Sequence, residues 1–220
     1  MMIRQAMLAT VTGALLLPSM TMADVGVGAK LGTLGAGIEL TKDLMHNVNG
    51  RVGLNVLNLA RNGAEDGVDY NIDLNLGSIM MVFDWHPFSG GMRLSAGAAF
   101  NNNELSLLAK PTNTSYTIGS TTYTPSEVGT LRGTVAFDDL TPYVGIGWGN
   151  AVSKDDRFTF VLDIGVLFQG STESKLTADG TLATDPTFQS ELAQEQKNLN
   201  KALDAFELYP VIALGFAYRF

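Results

Sequence analysis

Few side chains in this sequence combine the types and the spacing that chemistry requires. The chain has 220 residues and no cysteine, which excludes a disulfide framework, a thiolate metal site and a cysteine nucleophile. Of its two histidines, His46 and His86, only His86 has Asp84 and Ser89 close by in the sequence. These three residue types form the serine hydrolase triad, but Pro87 between them is typical of a turn. We therefore predict a structural turn here, and no enzymatic activity.

Two further patterns resemble ligand sites but are better explained by β-structure. Asp69, Asn71 and Asp73 match the start of a calcium-binding loop, yet Leu74 stands where that loop requires glycine. A spacing of two is also the period of a strand, so we interpret these residues as one polar strand face. The glycines near the start of the chain never form the pattern Gly-x-Gly-x-x-Gly. We expect no metal and no cofactor.

The first residues and the overall charge indicate where the protein resides. Arg4 precedes an apolar stretch at residues 6–17, and Ala23 offers a small residue for cleavage, so residues 1–23 are predicted to be a secretory signal peptide. An uncleaved anchor is the alternative, but the apolar stretch is shorter than the ~20 residues that a spanning helix needs. The net charge of −8 argues against a nucleic-acid partner.

The remaining chain, residues 24–220, alternates between apolar and small or charged side chains. Near the C-terminus the even-numbered positions carry Ile212, Leu214 and Phe216, whereas the odd-numbered ones include Gly215 and Arg219. Successive side chains of a strand point to opposite faces, so such a strand has one apolar face. A soluble sandwich would show long polar side chains on the other face, whereas small residues with sparse charge suit the interior of a narrow barrel. The pattern predicts an all-β fold, an antiparallel transmembrane barrel.

Eight strands can be counted, an even number as bacterial single-chain barrels require. They are predicted at residues 25–32, 36–42, 50–60, 69–86, 91–108, 131–149, 157–177 and 206–220. Short turns alternate with loops of increasing length, which predicts periplasmic turns, outward loops and both termini in the periplasm. In the fourth strand the apolar parity switches at Gly77-Ser78, which predicts either a β-bulge or the exit of the strand from the membrane. Asp185 before Pro186 predicts the start of an extracellular loop helix over residues 186–205.

Several blocks, taken in order, resemble a known family. They are residues 53–58, 70–74, 94–103, 141–148, 163–170 and 208–211, and together they span nearly the whole chain after residue 23. They resemble the small eight-stranded outer-membrane proteins related to the carbapenem-resistance-associated porin of Gram-negative bacteria. The resemblance implies an outer-membrane barrel surrounded by outer-membrane lipid, with uptake of small polar or amino-acid-like solutes. The differences lie mainly in the loops, which would set any solute preference.

Strand parity places eight charged residues inside the predicted barrel. They are Lys30, Glu39, Arg51, Asp84, Arg93, Asp163, Glu207 and Arg219. Unpaired charges in a narrow interior are costly, so we expect these residues to form a paired network, the alternative being solvated side chains near the rim.

The aromatic C-terminus, Phe216, Tyr218 and Phe220, resembles the signal that outer-membrane barrels present to the barrel assembly machinery. Its alternative is a last strand that merely ends in phenylalanine.

Three functions remain open for such a barrel. The first is a narrow channel for small polar or basic amino-acid-like solutes, to which the acidic loop residues Glu65, Asp66 and Asp69 would attract cations. The second is a closed barrel whose extracellular loops contact a partner, because eight strands enclose only enough space for side chains. The third is a lateral pathway or a pocket for hydrophobic compounds, lined by the loop helix.

Overall fold

The computed structural model describes residues 25–65, 68–111, 115–119, 121–170, 173–203 and 207–220. The predicted signal peptide, residues 1–23, lies outside the described residues. The strands are β1 (Val25–Gly32), β2 (Gly35–Met45), β3 (Val48–Glu65), β4 (Val68–Trp85), β5 (Met92–Asn101), β6 (Glu104–Pro111), β7 (Tyr116–Ile118), β8 (Thr121–Tyr123), β9 (Leu131–Ala136), β10 (Leu140–Trp148), β11 (Phe158–Phe168), β12 (Glu173–Ala178) and β13 (Leu208–Arg219). The helices are α1 (Pro125–Val128) and α2 (Pro186–Leu203).

Eight of these strands close into a barrel. Antiparallel pairing runs in the order β1, β2, β3, β4, β5, β10, β11 and β13, and β13 pairs back onto β1. Every strand of this ring therefore has a partner on both sides, so the wall has no free edge. This arrangement confirms the predicted fold class, an eight-stranded antiparallel barrel with a loop helix.

Three of the predicted long strands are each divided into two. The interruptions lie at Asn102 and Asn103, at residues 137–139 and after Phe168, where Gly170 takes a φ of +70° beside Asp138. At each interruption one half stays in the barrel wall, whereas β6, β9 and β12 continue beyond it, side by side with the outer half of β4. The part beyond the wall is here termed the cap: the outer halves of β3 and β4 with β6 to β9, β12, α1 and α2.

The outer surface of the barrel wall is apolar. On β13, Ile212, Leu214 and Phe216 are 51%, 51% and 66% exposed, whereas Val211 and Ala217 on the opposite face are buried. Large apolar side chains repeat in this way on the outward face of every strand of the ring. Soluble proteins rarely expose a continuous apolar surface of this kind to water. A lipid bilayer is the environment that such a belt requires.

The first hairpin turns where the sequence predicts it. Thr33 and Leu34 form the turn, and β2 begins at Gly35, whose φ of +93° lies in the region that glycine alone adopts without strain. A Cβ at this position would also meet the backbone of Val56 on β3.

The apolar parity of β4 switches without a bulge. Its register with β3 is uninterrupted over all 18 residues, so the bulge expected at Gly77-Ser78 is wrong. Leu76 and Ser78 both face inward and are buried. The residue types change because β4 leaves the barrel at this level: its outward face is polar in the cap, and its inward face becomes apolar. The switch at Gly77-Ser78 therefore corresponds to the other predicted explanation, the level at which the strand leaves the apolar belt.

Helix α2 begins at Pro186, as predicted, and ends at Leu203; the last residues of the predicted span, 204 and 205, lie outside the described residues. The Phe188 N–H donates to Asp185 Oδ1 at 3.0 Å, which makes Asp185 the N-cap. Phe188 packs edge-on against Tyr123 and is fully buried in a small core of the cap. Neither α1 nor α2 is long and apolar enough to span a membrane.

Candidate functional site

Six charged side chains inside the barrel form one ion-pair network, here termed the charged layer. They come from six different strands and are Lys30, Glu39, Arg51, Asp84, Arg93 and Asp163. No side chain of the layer exposes more than 9% of its surface. Three are positive and three negative, so the layer is neutral, which limits the cost of burying it.

Arg51 is the centre of the charged layer. Its guanidinium forms a two-pronged pair with Asp163, with Nη1 to Oδ2 at 2.9 Å and Nη2 to Oδ1 at 3.1 Å, and its Nε lies 2.9 Å from Asp84 Oδ2. Glu39 Oε2 accepts from Arg51 Nη1 at 3.3 Å and from Lys30 Nζ at 2.9 Å. Arg51 stands on β3 and Asp163 on β11, which are four strands apart in the ring of eight. This pair therefore crosses the full width of the lumen.

Arg93 ties the charged layer to the wall. Its Nη2 donates to Asp163 Oδ1 at 2.9 Å, and its Nη1 donates to the backbone carbonyls of Trp148, at 3.2 Å, and Gly149. Ser95 donates to Asp84 Oδ1 at 2.5 Å. Both aspartates therefore accept from more than one donor, as buried carboxylates must.

Apolar side chains fill the next level of the lumen, here termed the apolar layer. It consists of Leu34, Met80, Val82, Ala99, Tyr143, Leu167 and Val211. The Tyr143 ring lies over Gly145 and Gly165, where a Cβ would come within 2.5 Å of the Tyr143 hydroxyl and 2.6 Å of its Cε2. The two glycines make room for one aromatic ring, which a narrow barrel could not hold otherwise.

The two layers leave almost no space between them. The cavity bounded by Lys30, Arg51, Tyr143 and Asp163 measures about 10 Å³. A single water molecule needs roughly 10–15 Å³. The gap between the two layers therefore has room for about one water molecule.

Two residues predicted to join the network do not. Glu207 is exposed in the bend before β13, and Arg219 donates to the backbone carbonyl of Lys154 at 3.3 Å. Within the described residues neither forms an ion pair, so their assignment to the network is wrong. The physical reason is their position along β13. Glu207 precedes the start of this strand, near the cap, and Arg219 is its last residue, near the short turns, whereas the charged layer lies within the wall.

The other predicted groups lie elsewhere. Asp66 of the acidic loop lies outside the described residues, as do the side chains of Glu65 and Asp69. Phe216 and Phe220 are exposed on the outer face of the barrel. The Tyr218 ring lies between those of Phe158 and Phe220, with centroids 4.9 and 5.1 Å away. An aromatic cluster thus surrounds the end of the chain, and its role in assembly stays a prediction.

In the part of the chain that the structure describes, Asp84, His86 and Ser89 do not form a hydrogen-bonded triad. His86 is 2% exposed and directly follows β4. Its ring makes no hydrogen bond to Asp84 or Ser89, because Asp84 is held by Arg51 and Ser95. His46 is exposed in the turn after β2. Within the described ranges no three His, Cys, Asp or Glu side chains are placed to hold a metal ion.

Sequence reasoning missed the residues that close the lumen above the charged layer. Tyr143 shares its inward parity with Gly145 and Gly147, and an aromatic residue on an otherwise small-residue face is a signal that could have been used. A polar group farther out was also missed: Asn101 and Asn103 both donate to Gln169 Oε1, at 3.3 and 3.4 Å. These amides separate the apolar layer from the cap.

The closed ring of strands, the apolar outer belt and the filled interior define an eight-stranded membrane β-barrel with a folded cap. In this fold the chain is similar to two solved proteins of Acinetobacter baumannii, CarO2 and CarO. The TM-score is 0.61 for CarO2 at 20% sequence identity and 0.57 for CarO at 19%, and each alignment covers 90% of this chain and 98% of the other. No protein-family model and no curated protein matches the sequence. At this identity the likeness concerns the fold.

Proposed function

We propose that the chain is an outer-membrane barrel protein with a closed lumen, and that its cap, on the outer side of the membrane, contacts a partner. The observation that carries this proposal is the filled lumen, in which the charged and apolar layers leave about 10 Å³ between them. A closed antiparallel ring with an even number of strands is typical of bacterial outer-membrane barrels. The fold likeness to the two Acinetobacter proteins supports the same class.

The sizes of the two ends of the barrel support one orientation in the membrane. Val25 and Phe220 lie at the end of the barrel that carries the connections β2–β3, β4–β5 and β10–β11, which contain no further strand or helix. The cap lies at the other end. Outer-membrane barrels have short periplasmic turns and longer extracellular loops, which supports termini in the periplasm and a cap exposed outside the cell.

The predicted solute channel would require the charged layer to open. Arg51 bridges β3 and β11 across the lumen, so a path for a lysine-sized solute would need this bridge and its contact with Asp84 to break together. Separating buried charges from their partners costs several kcal/mol. The geometry therefore favours the closed barrel over the channel.

Conductance of the folded protein tests the proposal. Protein that shows heat-modifiable migration should give no current steps in planar bilayers and no swelling of liposomes in glycine or lysine solution. Two variants locate the path of any current: Arg51→Lys alters the bridge across the lumen, and Arg132→Lys is the control, because Arg132 pairs with Asp179 on the cap surface. Steps in the wild type that change in Arg51→Lys but not in Arg132→Lys would overturn the closed lumen.

The charge of the cap points to a cationic partner. The described side chains on the strands and helices of the cap carry equal numbers of acidic and basic groups, and the connections between these elements add Asp179 and Asp185. The balance is therefore acidic, and such a field attracts cations at low ionic strength. Cells that display the protein should bind fluorescent oligolysine more than oligoserine, with a difference that shrinks as salt is added. Changing Glu65, Asp66 and Asp69 to their amides should reduce oligolysine binding alone. Equal reductions for both peptides would contradict an electrostatic role.

A further inference from the structure

A second cavity lies between the barrel mouth and the cap, and it is of a different kind from the gap in the lumen. Its volume is about 220 Å³. It is here termed the mouth pocket and is lined by Leu74, Leu76, Asn103, Leu105, Val135, Phe137, Gln169, Leu203 and Tyr209. These residues come from the inner face of the cap sheet, the three strand interruptions, the C-terminal end of α2 and the start of β13.

The polar groups in the lining are already used by the protein. Asn103 accepts from the Gly77 N–H at 3.0 Å and donates to Gln169, and the Tyr209 hydroxyl donates to the Thr33 carbonyl at 2.7 Å. A polar ligand would therefore have to break these bonds to be satisfied, and a buried polar group without a partner is costly. The rest of the wall is aliphatic or aromatic, so the mouth pocket suits an apolar occupant.

Among the described residues, the mouth pocket differs from the cores on either side of it because no side chain fills it. In the cap core, Val128 and Phe188 are completely buried, and in the apolar layer Tyr143 and Leu167 are 1% exposed. By contrast Leu74, Leu105, Phe137 and Tyr209 remain partly exposed although they line the inside of the molecule. Protein interiors normally pack without voids of this size. Apolar surface left open on the inner side of a sheet is what a ligand site provides.

The volume sets the size of the occupant. An apolar protein cavity of about 150 Å³ stays dry and binds benzene. The mouth pocket is about one and a half times as large, which fits a bicyclic aromatic or a short alkyl chain of roughly ten carbon atoms. We propose that the mouth pocket binds a compact hydrocarbon of this class, held by Leu74, Leu105 and Val135 on the sheet and by Leu203 on α2. This inference goes beyond the proposed function and holds whether or not the lumen conducts.

Photolabelling in nanodiscs tests the mouth pocket directly. The probe is trifluoromethyl phenyl diazirine, an apolar aryl carbene precursor, and naphthalene is the competitor. Labelling of the lipid-facing belt should rise linearly with the probe and resist competition. Labelling of the segments around Leu105, Val135 and Leu203, mapped by mass spectrometry, should saturate and should be lost with naphthalene. Absence of a saturable, competable fraction in folded wild-type protein would overturn the site.

Filling variants provide the matched comparison. Val135→Phe and Leu105→Phe place extra volume in the mouth pocket and should lose the competable labelling. Ala136→Phe is the control, because Ala136 adjoins Val135 on β9 and lies on the exposed face. Protease resistance of the cap identifies variants in which it still folds. Competable labelling that persists in both folded filling variants would refute the proposal. Conductance of the same protein preparations in planar bilayers separates this proposal from the closed lumen. Current steps together with competable labelling would contradict the closed lumen and leave the mouth pocket supported.

Discussion

Replacing Arg51 with methionine should destabilise the barrel by about 3–5 kcal/mol, the usual cost of leaving a buried charge without its partner. Arg51 contacts Glu39, Asp84 and Asp163 at 2.9–3.3 Å, and it is 6% exposed. Its loss leaves three buried carboxylates with only Lys30 and Arg93 to balance them. The expected change corresponds to about two to four powers of ten in the unfolding equilibrium constant.

The free energy of unfolding can be measured by guanidinium titration in lipid vesicles. Trp85 and Trp148, the two tryptophans of the chain, lie on the lipid-facing side of the wall. Their fluorescence changes when the barrel unfolds and they leave the lipid. The variant Arg51→Met with Asp163→Leu restores neutrality, so it should be more stable than Arg51→Met alone. Arg132→Met, on the exposed cap surface, should leave the midpoint near that of the wild type. A double variant less stable than the single one, or Arg51→Met within about 1 kcal/mol of the wild type, would refute the reasoning.

Three further predictions concern the ends of the barrel. Deleting Phe220 should lower the amount of heat-modifiable protein in the outer membrane, and unchanged amounts on gels would argue against a role in assembly. Asp185→Ala removes the N-cap of α2 and should destabilise this helix by about 1 kcal/mol, measurable as faster amide hydrogen exchange in α2 only. Equal exchange rates in α2 of the variant and the wild type would contradict the N-cap role of Asp185. Hydrogen bonds from the Thr130 N–H and the Arg132 guanidinium lower the pKa of Asp179. Their stabilisation is therefore present above the ordinary carboxyl pKa and is lost as the pH falls through the lowered value. Proteolysis of the cap should accelerate in acid, and less so in Asp179→Asn; identical pH profiles would contradict this linkage.

The wall of the barrel could be predicted from the sequence because one simple rule governs it. Lipid on one side and a narrow interior on the other force a period of two, so Ile212, Leu214 and Phe216 reveal the outer face by themselves. The same rule predicted six residues of the charged layer. It failed for Glu207 and Arg219 because parity gives the face of a residue but not its height, and these two lie above and below the layer.

The cap could not be predicted in the same way, because water covers one of its faces and other parts of the chain cover the second. Within β4 the apolar side chains change from the outward face, in the wall, to the inward face, in the cap. The sequence shows this change only as the switch of parity at Gly77-Ser78. The helix α2 was predicted from local signals, namely Asp185, Pro186 and the apolar spacing. What it covers depends on β6, β9 and β12 lying side by side, and no local pattern encodes that order.

Whether the lumen is open depends on the distance across the ring, which parity does not contain. Parity places Arg51 on β3 and Asp163 on β11 inside the barrel, and an interior lined by charge is equally consistent with a wet channel. In a ring of eight strands these two lie opposite each other, and one arginine is long enough to meet the aspartate at 2.9 Å. Opposite walls therefore touch through their side chains. In a wider ring the same inward residues would be solvated and would line a water-filled lumen. The contact between opposite walls therefore depends on the strand number together with the charge pattern, and on neither alone.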